Sequence, residues 1–163
     1  MNGGRSKRIG VVTASLVSLV LVLAGCATVP VVETPSGFAG FSADEERAAL
    51  SPEGVGFRVR AVANDPEQTL GFWSDALERH LVESGYLARE RRGFVSPAGD
   101  GIAFEWIAQV GDADWAYLTA IVVAGETILL GEAAGPVKLY DRHRRALDDA
   151  LATMDTGRAA GGR

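Results

Sequence analysis

"IAFEWIAQVGDADWAYLTAIVVAGETILLGEAAGP", residues 102–136, decides the fold class of this 163-residue chain. Ile102, Phe104, Trp106, Ala108 and Val110 alternate with Ala103, Glu105, Ile107 and Gln109, which is the two-residue period of a strand. "GDAD" reads as a turn. The runs Trp115–Val123 and Thr127–Ala133 are rich in β-branched and aromatic residues, and "AGE" between them suits a tight hairpin. Gly135-Pro136 ends the last strand. Short turns between strands predict antiparallel pairing.

Upstream, Val55, Phe57, Val59 and Ala61 form one face of another strand, with Arg58 and Arg60 on its wet face. Ser51-Pro52-Glu53-Gly54 before it has Pro second and Gly fourth, as a type I turn prefers. A weaker strand is expected through Tyr86–Arg91, followed by a loop holding Pro97, Gly99 and Gly101. Two helices complete the pattern. In the first, Asp65 is the expected N-cap, Pro66 the first helical residue, and Gln68 falls three after the cap. Leu70, Trp73, Leu77 and Leu81 make its apolar stripe, and Gly85 closes it. In the second, within residues 137–154, Tyr140, Leu147, Leu151 and Met154 share a side. Each stripe needs a sheet to cover.

The expected architecture is therefore α+β, a largely antiparallel sheet of about six strands with two amphipathic helices in the order ββ–α–ββββ–α. That order, with Phe72-Trp73 early in the first helix and "EAAGP" at the last strand-to-helix turn, resembles the PsbP-like fold over residues 43–154. The group includes the extrinsic thylakoid subunit of photosystem II and the Ran-binding Mog-type proteins. The resemblance implies an accessory or interaction module without catalysis. It transfers no binding residue, because no functional motif of the family is matched.

The N-terminus reads as an address. "MNGGRSKR" is cationic, "IGVVTASLVSLVLV" is apolar, and small residues follow. Ile9–Ala24 falls short of the roughly 20 residues a helix needs to cross a bilayer. Leu23-Ala24-Gly25-Cys26 resembles the lipobox of bacterial lipoproteins. The resemblance implies diacylglycerol on the Cys26 sulfur, cleavage between Gly25 and Cys26, and acylation of the new amino group. Ala27, where an Asp would favour inner-membrane retention, implies outer-membrane sorting in a Gram-negative cell. Residues 1–25 are then a signal peptide and 26–42 a lipidated tether whose Phe38 and Phe41 suit docking on the domain edge. Residues 43–154 are the domain and 155–163 a disordered tail.

Removing residues 1–25 leaves 13 basic against 21 acidic residues, a formal charge of −8. Such a chain lacks the basic face that nucleic-acid binding needs. The single cysteine excludes an internal disulfide. His80 and His143 have no His-x-His or His-x3-His partner, and no metal or cofactor motif is present. "GEAAGP" lacks the Lys and Ser/Thr of a phosphate loop. Ser74 and Ser84 lie on an ordinary helical pattern, with no G-x-S-x-G. Glu105, Glu132, Asp148 and Asp149 are carboxylate candidates, expected on exposed faces. "ARERR" (Arg89, Arg91, Arg92) and "DRHRR" (Arg142, Arg144, Arg145) are expected to be solvated, although they could touch anionic headgroups. The expected role is a non-catalytic binding or scaffolding domain anchored in the cell envelope, with an unidentified envelope protein or ligand as partner. Rival roles are an envelope-tethered enzyme or accessory hydrolase, favoured by converging carboxylates or a cleft at His80, and a soluble exported ligand carrier.

Overall fold

A computed structural model describes residues 29–43 and 46–157. The element order is β1 (Ala39–Ala43), β2 (Glu46–Leu50), β3 (Gly56–Ala63), α1 (Leu70–Glu83), β4 (Leu87–Ser96), β5 (Gly99–Val110), β6 (Ala113–Ala124), β7 (Thr127–Pro136) and α2 (Val137–Leu151). The seven strands form one antiparallel sheet in the order β1-β2-β3-β7-β6-β5-β4. The α+β class, the antiparallel pairing and the two helices are as expected.

Burial explains the layering. On one face Val55, Phe57, Val59, Ala103, Leu118, Val122 and Leu129 meet Tyr140, Leu147 and Leu151 of α2. Fully burying each large side chain contributes about 1.5–3 kcal/mol, enough to hold a helix that has no side-chain N-cap. On the other face Phe104 and Trp106 stack at 5.5 Å under Leu77 and Leu81 of α1. The Trp106 indole donates to Thr119 Oγ1 at 3.0 Å. Helix α1 reaches β5 and β6, leaving the β1-β2-β3-β7 half of that face bare.

Several expectations need correction. Among the described residues there are seven strands, because β1 comes from the stretch expected as a tether. Val31 exchanges two backbone bonds with Asp155, each 2.8 Å, and the Glu33 amide donates to Thr153 Oγ1 at 2.9 Å. Val32 and Phe38 pack on the α2-side core. Residues 29–42 are thus a strap laid on the domain, and Asp155 belongs to the domain and not to a disordered tail. Val32 and Phe38 supply the apolar contacts, but Glu33 finds its partner 120 residues away, beyond any local pattern. Phe41, expected to dock, is exposed.

Helix α1 starts at Leu70 with Thr69 as N-cap, whose Oγ1 accepts from the Phe72 amide at 3.3 Å, and not at Asp65. Asn64 holds the preceding loop instead. Its Oδ1 accepts from the Gln68 amide at 3.0 Å and the Trp73 indole at 2.7 Å, and its Nδ2 donates to the carbonyls of Gln68 and Gly125. The expected loop at 97–101 is a tight hairpin: β4 runs to Ser96 and β5 starts at Gly99. The turn at 51–54 is as expected, with the Gly54 amide donating to Ser51 O at 3.0 Å.

Candidate functional site

The two faces of the sheet each carry a carboxylate–tyrosine–arginine cluster, built differently. Under α2, the Glu105 side chain is fully buried. Its Oε1 accepts from Arg144 Nε at 2.8 Å, Arg92 Nη1 at 3.0 Å and the Tyr140 hydroxyl at 3.2 Å. Its Oε2 has no hydrogen-bond partner among the described residues, with Arg89 Nε 4.0 Å away. A β-bulge at Ala88/Glu90 lets Arg89, Glu90 and Arg92 all reach the α2 side. There Arg89 pairs with Asp141 at 2.8 Å, Glu90 with Arg144, and Arg92 with Asp148. Burial and the Glu105 carboxylate push the Tyr140 phenol well above its ordinary pKa.

This cluster overturns two expectations. Glu105 is not on an exposed face, and Arg89, Arg92 and Arg144 are not a solvated basic patch. Three guanidinium groups meet four carboxylates, so the cluster offers no excess positive charge to an anion. Arg91 points to the opposite face, pairing with Glu78 at 2.8 Å and lying 5.2 Å over the Phe104 ring.

On the bare half of the α1 face lies an open groove of about 370 Å³. Phe41, Ala48, Leu50, Tyr117 and Ala134 give it an apolar lining, with Arg58 and Glu132 at its polar end. The Glu132 side chain, 14% exposed, accepts from Arg58 Nε at 2.8 Å and Arg60 Nε at 3.5 Å. The Tyr117 hydroxyl donates to its other oxygen. Arg58 stands directly opposite Glu132 in the β3–β7 register. Burial pushes the Glu132 carboxyl up, but the bonds from Tyr117 and Arg58 outweigh it and hold the group below the ordinary carboxylate range. Burial first, then the bond to Glu132, pushes the Tyr117 phenol far up. The pair is fixed as acceptor and donor across the neutral range.

The other sequence candidates do not converge. His80 is exposed on α1, while His143 lies on α2, 3.1 Å from Glu53 and edge-on to Phe38. Ser74 is buried with an unpartnered hydroxyl, and Ser84 donates to the His80 carbonyl. Asp149 lies 4.0 Å from Arg145 on the α2 surface. Among the described residues no three His, Cys, Asp or Glu side chains gather as a metal site requires, and no helix is long and apolar enough to cross a membrane. Gly25 and Cys26 lie outside the described residues. Sequence reading missed the groove residues Ala48, Leu50 and Tyr117, and singled out Phe41 only for docking on the domain edge. They come together through strand pairing and through the limited reach of α1, neither of which a local pattern states.

Comparison with solved structures places this architecture. Cyanobacterial PsbP from Synechocystis sp. PCC 6803 superposes with a TM-score of 0.58 at 11% identity, covering 78% of this chain and 86% of that one. The fold is PsbP-like. A Pseudomonas aeruginosa protein of unknown function gives a TM-score of 0.57 at 10% identity, covering 76% of this chain and 99% of that one. A Bacteroides thetaiotaomicron protein gives 0.51 at 14% identity, covering 82% of this chain and 47% of that one. No protein-family model matches the chain, and no curated protein does. At such identities the likeness is one of fold.

Proposed function

We propose that this chain is a lipid-anchored protein of the bacterial envelope whose PsbP-like domain binds a partner through the open groove and performs no chemistry of its own. One observation carries the anchoring: Leu23-Ala24-Gly25-Cys26 follows a cationic and then an apolar run. On this reading residues 1–25 are removed and Cys26 becomes the acylated N-terminus. One acyl chain binds a membrane reversibly, while two or three on one residue hold it firmly, each buried methylene adding about 0.8 kcal/mol. Ala27 favours the outer membrane where there is one.

The groove supports binding over catalysis. A general acid or base works best with a pKa near the operating pH. Glu132 is held low and Tyr117 high, so neither is poised for proton transfer near neutrality. Apolar lining with a few fixed polar groups is the usual make-up of a recognition cleft.

Two measurements test this reading. Palmitate should label the wild-type protein and leave it in the membrane fraction, and Cys26→Ala should lose both. An unlabelled wild type, or a mature chain beginning elsewhere than Cys26, would refute the anchor. A photo-crosslinking residue at Phe41 should give a discrete adduct in native envelopes that one at Arg145 on the α2 surface does not. Equal adducts from both positions would refute the groove as the binding face.

A further inference from the structure

We infer that the domain stands upright on the bilayer, with the end that carries the Val31–Asp155 bridge facing the lipid and the groove held away from it. This rests on lipidation of Cys26, as proposed above.

The strap sets the geometry. Had residues 26–42 been free, the domain could drift up to about 60 Å from its anchor. Instead the chain is pinned from Val31 onward by the two Val31–Asp155 bonds and the Glu33–Thr153 bond. Gly157 has φ +69° and lies so close to the strap that a Cβ there would meet Val29 O at 3.0 Å and Val31 Cγ2 at 3.1 Å. Only three peptide links separate Cys26 from Val29. Whatever conformation residues 26–28 take, they span at most about 11 Å.

The strand register shows which end is held. The Gly125-Glu126 hairpin joins Ala124 to Thr127, and Asn64 ties the loop before α1 to Gly125. The Ala98 amide donates to Met154 O at 3.2 Å, which brings the β4–β5 hairpin to the end of α2 beside the bridge. These turns therefore share the strap's end. The Gly111-Asp112 hairpin and the turn at 51–54 lie at the other, one length of β6 away, roughly 40 Å for its 12 residues. The groove belongs to that far half, since Leu50 pairs with Gly56 and Gly56 with Ala134 near the ends of their strands.

Charge keeps the domain upright. With a formal charge of −8 it is repelled by an anionic bilayer over a Debye length of about 8–10 Å. The covalent link holds one end inside that distance, so the far end is driven outward. At the held end Val29 and Val31, 36% and 52% exposed, flank the exit of the chain, and with Val95 beside the β4–β5 hairpin they are apolar side chains placed to meet the interface.

The test uses the intact lipidated protein in vesicles of phosphatidylethanolamine and phosphatidylglycerol. Lipid occupies the Cys26 sulfur, so Glu126→Cys or Asp112→Cys supplies the one free thiol for a fluorescent donor. Both positions are exposed turn residues at opposite ends. With an acceptor on the lipid headgroups, loss of donor emission at position 126 should exceed that at 112 at least about twofold, given the roughly 40 Å between them. A flexible Gly/Ser insertion of about 12 residues between Thr28 and Val29 should shrink that ratio towards one. The mass of the N-terminal peptide from the same sample reports the anchor separately. Equal losses, or a larger loss at 112, from a sample whose peptide carries lipid would overturn the orientation and leave the anchor standing. A peptide without lipid would overturn both.

Discussion

Glu105 under α2 and Glu132 in the groove have the same partners by type: arginines and one tyrosine. They differ in what covers them. Tyr140 and Arg144 of α2 cover the first completely, while the second, 14% exposed, opens on the groove. A sealed ion-pair cluster locks elements together. The same groups at an open cleft remain available to a partner, which is why the groove is the better functional candidate despite its smaller network.

The contrast breaks most sharply at the sealed side. Arg92→Met with Arg144→Met would leave the buried Glu105 carboxylate with the Tyr140 hydroxyl and, at 4.0 Å, Arg89 as its remaining partners. Breaking a buried ion pair by removing its partners costs about 3–5 kcal/mol, so the midpoint of urea unfolding should fall steeply. A change below about 0.5 kcal/mol would mean the cluster is not structural.

The open side should respond less and with a defined pH dependence. Glu132→Gln removes charge-assisted bonds worth about 1.5–3 kcal/mol at neutral pH. Because the folded carboxyl titrates below its ordinary value of 4.5, its stabilisation is full above that value and is lost as pH falls through the depressed folded pKa. Wild type and variant should therefore differ most above pH 4.5 and converge in acid, as read by denaturation at a series of pH values. A gap that widens in acid would contradict the assignment.

Two glycines sharpen the same contrast by packing alone. A Cβ on Gly131 would sit 2.7 Å from Leu151 Cδ2 and 3.3 Å from Met154 Sδ, whereas one on Gly56 in the groove would meet nothing within 4 Å. Gly131→Ala should cost about 1–3 kcal/mol by overpacking, and Gly56→Ala should stay within about 0.5 kcal/mol of wild type.

What the sequence disclosed was local. The Tyr140, Leu147, Leu151 and Met154 stripe is buried as its spacing predicted, and the Gly54 turn and the hairpin at Gly125 lie where their glycines indicated. Glu105 was misread because its burial depends on a β4 bulge and on Arg144, 39 residues later. The strap was misread because the partners of Val31 and Glu33 lie at the far end of the chain. In residues 102–110 the alternation was real, but helices on both sides bury Phe104 and Glu105 alike, so it could not tell core from surface. The groove required knowing where α1 stops, which no periodicity encodes.

The start of α1 gives the smallest effect and the clearest separation of two rules. Asp65-Pro66 has the composition of a helix start, yet Asn64 ties the loop to Gln68, Trp73 and Gly125, and the cap moves to Thr69. Among the residues of α1 only Ser74 and Leu81 are buried, so this helix relies on its cap more than α2, where Tyr140, Leu147, Ala150 and Leu151 are buried and no side-chain cap exists. Thr69→Ala should cost about 1 kcal/mol, while Asp65→Ala should leave stability within about 0.5 kcal/mol of wild type. Amide exchange at Phe72 should quicken in the first variant alone. The reverse ranking would return the helix start to Asp65 and remove the reason for assigning α1 a weaker hold on its face than α2.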